Sequence, residues 1–195
     1  RYLVSAESAG IPSVVCIAKL DLVEGRPEGT EIEAVAAEYR AIGYGVILTS
    51  IVSGRGIEEF KAAMRGRLSV FVGKSGVGKT SLLNALDPGL GLRVQETSRA
   101  TGKGRHTTTH QEMFALSSGG AIIDTPGIRE FGLWEVDGGD LALFFPEMRP
   151  LVGTCKFGRG CRHVHEPGCS IRRAVNAGQI SPYRYESYLK LRAES

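Results

Sequence analysis

The sequence predicts an α/β fold, a mostly parallel and doubly wound sheet followed by a small C-terminal module. Three observations support this prediction. Strand-like and helix-like stretches alternate through the first 130 residues, a glycine-rich phosphate-loop motif follows one strand, and cysteines and histidines cluster after residue 150. Repeated βα units favour a parallel sheet with helices on both faces. We expect two domains, at 1–139 and 140–195.

Hydrophobic periodicity locates the elements along the chain. Short apolar, β-branched runs predict strands, whereas apolar residues at helical spacing predict helices. The strands are expected at 13–17, 45–50, 68–72, 112–116 and 121–123. The helices are expected at 31–42, 57–64, 80–86, 140–148 and from Pro182 to about 192.

Composition narrows the class of protein. The 195 residues contain no apolar run near the ~20 residues of a membrane span, and no signal segment opens the sequence, so we expect no membrane association. The net charge of +3 is uneven, because residues 151–195 carry eight Lys or Arg against three Glu. This basic portion favours a polyanion partner such as nucleic acid, with a solvated helix surface as the alternative.

A complete phosphate-loop motif, G-x-x-x-x-G-K-[ST], occupies residues 73–80. Its glycines allow backbone N–H groups to face phosphates at the start of a helix. In such loops Lys79 reaches the β- and γ-phosphates, and the Thr80 hydroxyl binds Mg²⁺. The predicted nucleotide-binding residues of this segment are Gly73, Lys74, Ser75, Gly76, Val77, Gly78, Lys79, Thr80 and Ser81.

Asp124 opens a D-x-x-G motif at the end of a predicted strand. Its carboxylate can hold a metal through water, and the N–H of Gly127 can meet the γ-phosphate. Three consecutive threonines precede this motif, and a threonine in such a loop is the usual second hydroxyl ligand of the metal. Thr108 is the predicted ligand and Thr107 the alternative. Thr80, Thr108 and Asp124 would together hold Mg²⁺.

Lys19 and Asp21 form a K-x-D motif directly after the first predicted strand. In the N-K-x-D motif of guanine-binding proteins, the aspartate accepts from guanine N1 and N2 and the lysine stem packs on the base. Here Ala18 replaces the asparagine. Ser50 follows another strand, in a loop that can approach guanine O6. These residues predict GTP or GDP as the ligand.

The order of the motifs is informative. Ras-type domains place the base motif last, whereas here it precedes the phosphate loop, the threonines and D-x-x-G. This order predicts a circular permutation. Because all these loops lie at the carboxyl edge of the sheet, the site is unchanged by it.

Three clustered cysteines and two histidines predict a metal site rather than disulfides, because three nearby thiols cannot all pair. Cys155, Cys161 and Cys169 with one imidazole form a closed set suited to structural Zn²⁺. The pattern leaves His163 and His165 open as the fourth ligand. Reduced thiols in an unstructured tail are the alternative.

The chain resembles the RsgA (YjeQ) family, the circularly permuted GTPases that depend on the small ribosomal subunit. The motifs that carry the resemblance lie at 73–80, 104–109, 124–131 and 161–169. It implies a P-loop GTPase-type fold and a monomeric, cytoplasmic GTP hydrolase that acts late in small-subunit maturation and binds rRNA. It also implies an upstream OB-fold domain and a strand before Arg1, neither of which this sequence contains.

The resemblance assigns further roles. His163 matches the family's zinc ligand, and His106 matches its switch histidine, which could position water; a surface-loop histidine is the alternative. Ile128 replaces the glutamine that orients water in Ras-like enzymes, so unassisted hydrolysis should be slow. The predicted catalytic residues are Lys79, Thr108, Gly127 and His106.

The sequence departs from the family's pattern at two positions, and two other functions remain as alternatives. Ala18 and Ile51 stand where the family usually has Asn and Ala, which bears on guanine selection. The first rival is a P-loop enzyme of another class, an ATPase or nucleotide kinase. The second is a non-catalytic RNA-binding module that merely holds nucleotide.

Overall fold

The computed structural model describes residues 1–91, 112–124 and 141–194. The chain divides into two compact units. One contains Val14–Ala36 and the described part of Val46–Glu130, and is called here the P-loop unit. The other contains Arg1–Ser13, Ala37–Gly45 and the described part of Phe131–Ser195, and is called here the cysteine unit.

Short apolar runs form the strands of the P-loop unit, as periodicity predicts. These strands are β1 (Val14–Ile17), β2 (Gly45–Leu48), β3 (Leu68–Val70), β4 (Glu112–Ala115) and β5 (Ala121–Asp124). β1 pairs with β2, and a second sheet has the order β3-β5-β4. β3 and β5 are parallel, with Ser69 opposite Ile122. β4 and β5 form an antiparallel hairpin.

Three helices accompany these strands, and they are α2 (Pro27–Ala41), α3 (Ile57–Met64) and α4 (Lys79–Leu86). Residues of α3 and α4 share a buried apolar core with the strands. Phe60, Leu83 and Ile122 lie in one buried cluster with Ile47 of β2. Gly56 begins α3 with a φ of +70°, and a Cβ atom there would overlap the carbonyl oxygen of Leu48. Only glycine fits this turn, because it combines a left-handed backbone with close approach.

The cysteine unit has its own core. Its helices are α1 (Tyr2–Ser8), α5 (Ser170–Asn176) and α6 (Pro182–Glu194). Phe145, Met148, Ile171 and Tyr188 are almost wholly buried in it, together with the three clustered cysteines. None of the helices in the described ranges has the length and apolar character needed to cross a bilayer.

The helix predicted at 140–148 is wrong in its described part. The structure has a short 3₁₀ turn at Leu141–Phe144 and a second one at Arg149–Leu151. Pro146 explains the difference, because it lacks an N–H group and disfavours helical geometry at the residue before it. The hydrophobic pattern predicts neither α1 nor α5.

Candidate nucleotide-binding site and metal centre

The phosphate loop leads directly into α4. Gly76 and Gly78 have φ values of +81° and +98°, so two of the glycines adopt the left-handed backbone. The Nζ of Lys79 donates to the carbonyl oxygens of Gly73, at 2.7 Å, and of Lys74, at 2.9 Å. The lysine thus folds back over the loop, with its ammonium group at the start of the helix, where anions bind favourably.

The side chains of this loop differ in exposure. Lys74, Ser75 and Val77 are exposed, whereas Thr80 and Ser81 are half-buried on the first turn of α4. Thr80, whose hydroxyl is predicted to bind Mg²⁺, is therefore more sheltered than Lys74, Ser75 and Val77.

Lys19 connects the base motif to the phosphate loop. Its backbone is left-handed, with φ at +64°, and its Nζ donates to the carbonyl oxygen of Gly76 at 2.6 Å. A Cβ atom at Gly78 would lie 3.5 Å from Cε of Lys19, so the lysine stem packs closely over that glycine. Two motifs that are far apart in sequence therefore meet at one place.

Asp21 and Ser50 also meet. The Ser50 hydroxyl, which is 1% exposed, donates to Oδ1 of Asp21 at 2.6 Å. The Ser50 oxygen accepts in turn from the backbone N–H groups of Val52 and Ser53, each at 3.3 Å. The bonded network holds the Asp21 carboxylate at the ends of β1 and β2.

A cavity of about 520 Å³ lies between the base motif and the phosphate loop. Its walls include Ala18, Lys19, Gly76 and Lys79, with Phe71 among the apolar residues. Ala18 lines the space where the guanine motif usually has asparagine, so it offers no polar side-chain atom there.

Several predicted site residues cannot be located. The backbone of Asp124 ends β5, next to the strand that leads to the phosphate loop, but its side chain is not described. His106, Thr107, Thr108 and Gly127 lie outside the described residues.

The second site is a buried cluster of Cys155, Cys161, His163 and Cys169. Their ligand atoms all lie within 4.8 Å of one another. Nδ1 of His163 is 3.5 Å from the sulfur of Cys155 and 3.4 Å from that of Cys169, and those sulfurs are 3.9 Å apart. Ligands of a tetrahedral Zn²⁺ lie roughly 3.5 to 3.8 Å apart, so this donor set is consistent with zinc. His165 is exposed and outside the cluster.

Burial and hydrogen bonds shift the pKa values of three groups in this cluster. Burial raises the pKa of the Cys161 thiol to about 12. Burial also acts to raise the pKa of Cys155, but the N–H of Ser170 and the neighbouring thiols outweigh it and lower the net value. Burial lowers the pKa of His163 and favours the neutral imidazole that a metal requires.

Three residues that no sequence motif singles out hold the loop that carries His163. The Glu166 carboxylate accepts from the N–H groups of Arg162, Val164 and His165 at 2.8 to 3.1 Å. Burial acts to raise the pKa of Glu166, but these backbone bonds lower it to about 2. On α6, Tyr185 donates to the carbonyl oxygen of His163 at 2.7 Å, and Tyr188 donates to that of Arg162 at 2.8 Å. His163 is thus kept at a φ of +59°.

Fold and motif order define the class, a circularly permuted P-loop domain followed by a Cys₃His module. A family model described as RsgA GTPase matches residues 1–134. The chain belongs to the RsgA GTPase family.

Relatives and solved structures agree with this assignment. A protein named small ribosomal subunit biogenesis GTPase RsgA, from Gemmatimonas aurantiaca, is 50% identical over 194 residues, which are 100% of this chain and 62% of the relative. The crystal structure of YjeQ from Thermotoga maritima matches with a TM-score of 0.82 and 34% identity, over 99% of this chain and 63% of that one. The crystal structure of YloQ, described as a circularly permuted GTPase, matches with a TM-score of 0.77 and 35% identity, over 99% of this chain and 60% of that one. The chain therefore spans less than two thirds of the length of these proteins.

Proposed function

We propose that the chain hydrolyses GTP and assists late maturation of the small ribosomal subunit. The observation that carries the proposal is the bond from Lys19 to the Gly76 carbonyl, which joins a base motif to a phosphate loop. The Asp21 carboxylate beside Ser50 supplies the acceptor that guanine N1 and N2 require. The names of the relatives support both GTP hydrolysis and a role in small-subunit biogenesis.

Each residue of the nucleotide site has its own role in phosphoryl transfer. The loop N–H groups and the Lys79 ammonium bind and orient the β- and γ-phosphates. Thr80, Thr108 and Asp124 would hold Mg²⁺, which when bound neutralises charge on these phosphates. Gly127 would donate its N–H to the γ-phosphate, and His106 would position water. The apolar Ile128 offers water no hydrogen bond, so turnover without a partner is slow.

The Cys₃His cluster supplies structure rather than chemistry. We assign Cys155, Cys161, His163 and Cys169 as ligands of one structural Zn²⁺, because four donors leave no open position for a reacting group. We propose a GTPase domain at 1–139 and a zinc-binding, helical module at 140–195.

The partner would be rRNA of the small subunit, contacted through the basic C-terminal portion. The protein would act as a cytoplasmic monomer, with GTP favouring the ribosome-bound state and hydrolysis releasing it.

The test is GTP turnover with and without purified small ribosomal subunits. We expect slow turnover alone and at least tenfold stimulation by small subunits, with no stimulation by large subunits. Lys79→Ala should abolish both rates, because the triphosphate loses the loop lysine. Lys61→Ala is the matched control, since Lys61 pairs with Glu58 on the surface of α3.

Two results would contradict the proposal. Wild-type turnover in Lys79→Ala would remove the phosphate-loop assignment. Absence of stimulated turnover, with GTP binding retained, would favour the non-catalytic RNA-binding module instead.

A further inference from the structure

Phe157 is an exposed aromatic side chain in the loop between Cys155 and Cys161. Its side chain is 52% exposed, although the cysteines on either side are buried. The Nζ of Lys156 lies 6.0 Å from the centroid of the Phe157 ring. The exposed part of the ring is available to a ligand, and burying it against one would be favourable.

The loop that presents Phe157 is closed by backbone hydrogen bonds. Gly158 N–H donates to the Cys155 carbonyl at 2.8 Å, and Gly160 N–H donates to that of Phe157 at 3.2 Å. Lys156 N–H donates to the Gly168 carbonyl at 3.2 Å, which ties the loop to the segment before Cys169. A loop fixed in this way loses little conformational entropy when a ligand binds.

The segment that carries Phe157 also carries three cations. Lys156, Arg159 and Arg162 are all exposed. Among the residues that the structure describes, none of the three forms an ion pair with a carboxylate. The nearby acid Glu166 is bonded to three backbone N–H groups instead. We call Lys156, Phe157, Arg159 and Arg162 the basic knuckle.

We propose that the basic knuckle binds an unpaired stretch of RNA, with one base stacked on the Phe157 ring and the flanking phosphates at its three cations. This inference rests on the proposed function and names the kind of RNA that the cysteine unit contacts. An unpaired base has a free π-face for an aromatic side chain, whereas a base within a duplex has both faces covered. Lys156 lies beside the ring, and the exposed Arg159 and Arg162 follow within five residues of it, so cations are available to the phosphates that flank a stacked base.

The test measures the affinity of the whole chain for a fluorescein-labelled, unstructured 12-nucleotide RNA containing adenines, by anisotropy, without added nucleotide. Phe157→Ala should weaken binding by about 5- to 160-fold, the usual range for loss of one stacked base. The slope of log K against log salt should not change, because no charge is lost. Phe157→Trp should retain the affinity, since it keeps the π-face.

Removal of the cations, unlike removal of the Phe157 ring, should change the salt dependence of RNA binding. The double variant Lys156→Ala/Arg159→Ala should reduce the salt slope by about 1.4, which corresponds to two phosphate contacts on a single strand. Tyr183→Ala is the matched control, because Tyr183 is another exposed aromatic residue of this unit, on α6 and 78% exposed. Its affinity should equal that of the wild type.

Metal content and thermal midpoint show whether a variant keeps its fold. If Phe157→Ala loses either, Phe157→Leu replaces it, because leucine keeps apolar bulk without a π-face. Unchanged RNA affinity in Phe157→Leu, or an equal loss toward a duplex of the same sequence, would overturn the proposal. The proposal would also be overturned if an acidic peptide displaced the labelled RNA as effectively as an unlabelled RNA of equal charge.

Different results would contradict the RNA-binding proposal and the proposed GTPase function. If Phe157→Ala keeps its RNA affinity but loses subunit-stimulated turnover, the knuckle contacts protein, and the proposed function stands without this inference. If the RNA results hold but the wild type never turns over GTP, the knuckle stands and the enzymatic proposal fails.

Discussion

The hydroxyl group of Ser50 donates to Oδ1 of Asp21 across 2.6 Å, joining the loops that follow β1 and β2. The serine is 1% exposed, and its oxygen accepts from two backbone N–H groups. Its one proton is therefore directed at the carboxylate. Asp21 is held in a fixed orientation before any nucleotide binds, which reduces the entropy cost of recognition.

Removing this hydroxyl should weaken nucleotide binding. Ser50→Ala frees Asp21 and leaves two N–H groups without their acceptor. Because a hydrogen bond to a charged group contributes about 1.5 to 3 kcal/mol, we expect GDP affinity to fall about tenfold, measured with a fluorescent analogue. Ser53→Ala is the control, since Ser53 contributes its backbone N–H to this network. Equal affinities in the two variants would remove the positioning role of Ser50.

Loss of the metal ligands should leave nucleotide binding unchanged. Cys161→Ala deletes one of four donors, so we expect loss of zinc and of ribosome-stimulated turnover, with GTP binding retained. Structural zinc contributes on the order of 10 kcal/mol to such modules. The measurements are metal analysis and a GTP titration. Cys16→Ala, which removes a half-buried thiol outside the cluster, should keep its zinc. Full zinc content in Cys161→Ala would contradict the ligand set.

Arg184 and Glu147 form a buried ion pair in the cysteine unit. Nε to Oε1 is 2.7 Å, and the side chains are 11% and 5% exposed. The Arg184 guanidinium also lies 4.8 Å from the centroid of the Phe145 ring. Arg184→Ala leaves a buried, unpaired carboxylate, so the free energy of unfolding should fall by about 3 kcal/mol.

The control for this pair removes both charges. The double variant Glu147→Gln/Arg184→Met should lose less stability than Arg184→Ala, because no unpaired charge stays buried. Chemical denaturation measures both variants. A double variant that is less stable than Arg184→Ala would show that the pair itself, rather than the stranded charge, governs stability.

Asp87 should make stability depend on pH. Its carboxylate accepts from Ser117 N–H at 2.7 Å and from Gly89 N–H at 3.1 Å, and these bonds lower its pKa below the ordinary 3.8. A lowered folded-state pKa stabilises the fold above the unfolded-state pKa, and this contribution disappears as pH falls through the folded-state value. The gap in thermal midpoint between wild type and Asp87→Asn should therefore be constant above pH ~5 and narrow below pH ~4. A gap independent of pH would contradict this assignment.

Both sites could be predicted where their residues are close in sequence. The phosphate loop and the cysteine spacing are local patterns with a fixed chemistry, so the sequence alone predicts their residues. The structure brings Cys155, Cys161, His163 and Cys169 together. Glu166 lies within the same segment, but nothing in the pattern distinguishes a carboxylate bonded to backbone from one on the surface. The contribution of Tyr185 and Tyr188 depends on how α6 packs, which no local pattern carries.

Errors in the elements have local causes. α1 and α5 have seven residues each, too short for the periodicity of an amphipathic helix to be recognised. The prediction of a helix at 140–148 rests on apolar spacing, whereas Pro146 disfavours helical geometry within that range. The catalytic predictions at Thr108, Gly127 and His106 fall outside the described residues and stay predictions.

The central claim is that this chain binds and hydrolyses a guanine nucleotide, and the most direct measurement is kcat/KM of wild type and Asp21→Asn for GTP, XTP and ATP. Asp21 would accept from guanine N1 and N2, whereas the asparagine amide would donate to the C2 carbonyl of xanthine. The account predicts that wild type prefers GTP and that Asp21→Asn prefers XTP, with ATP a poor substrate of both. A variant that keeps the wild-type preference, or a wild type that hydrolyses ATP as readily as GTP, would contradict it.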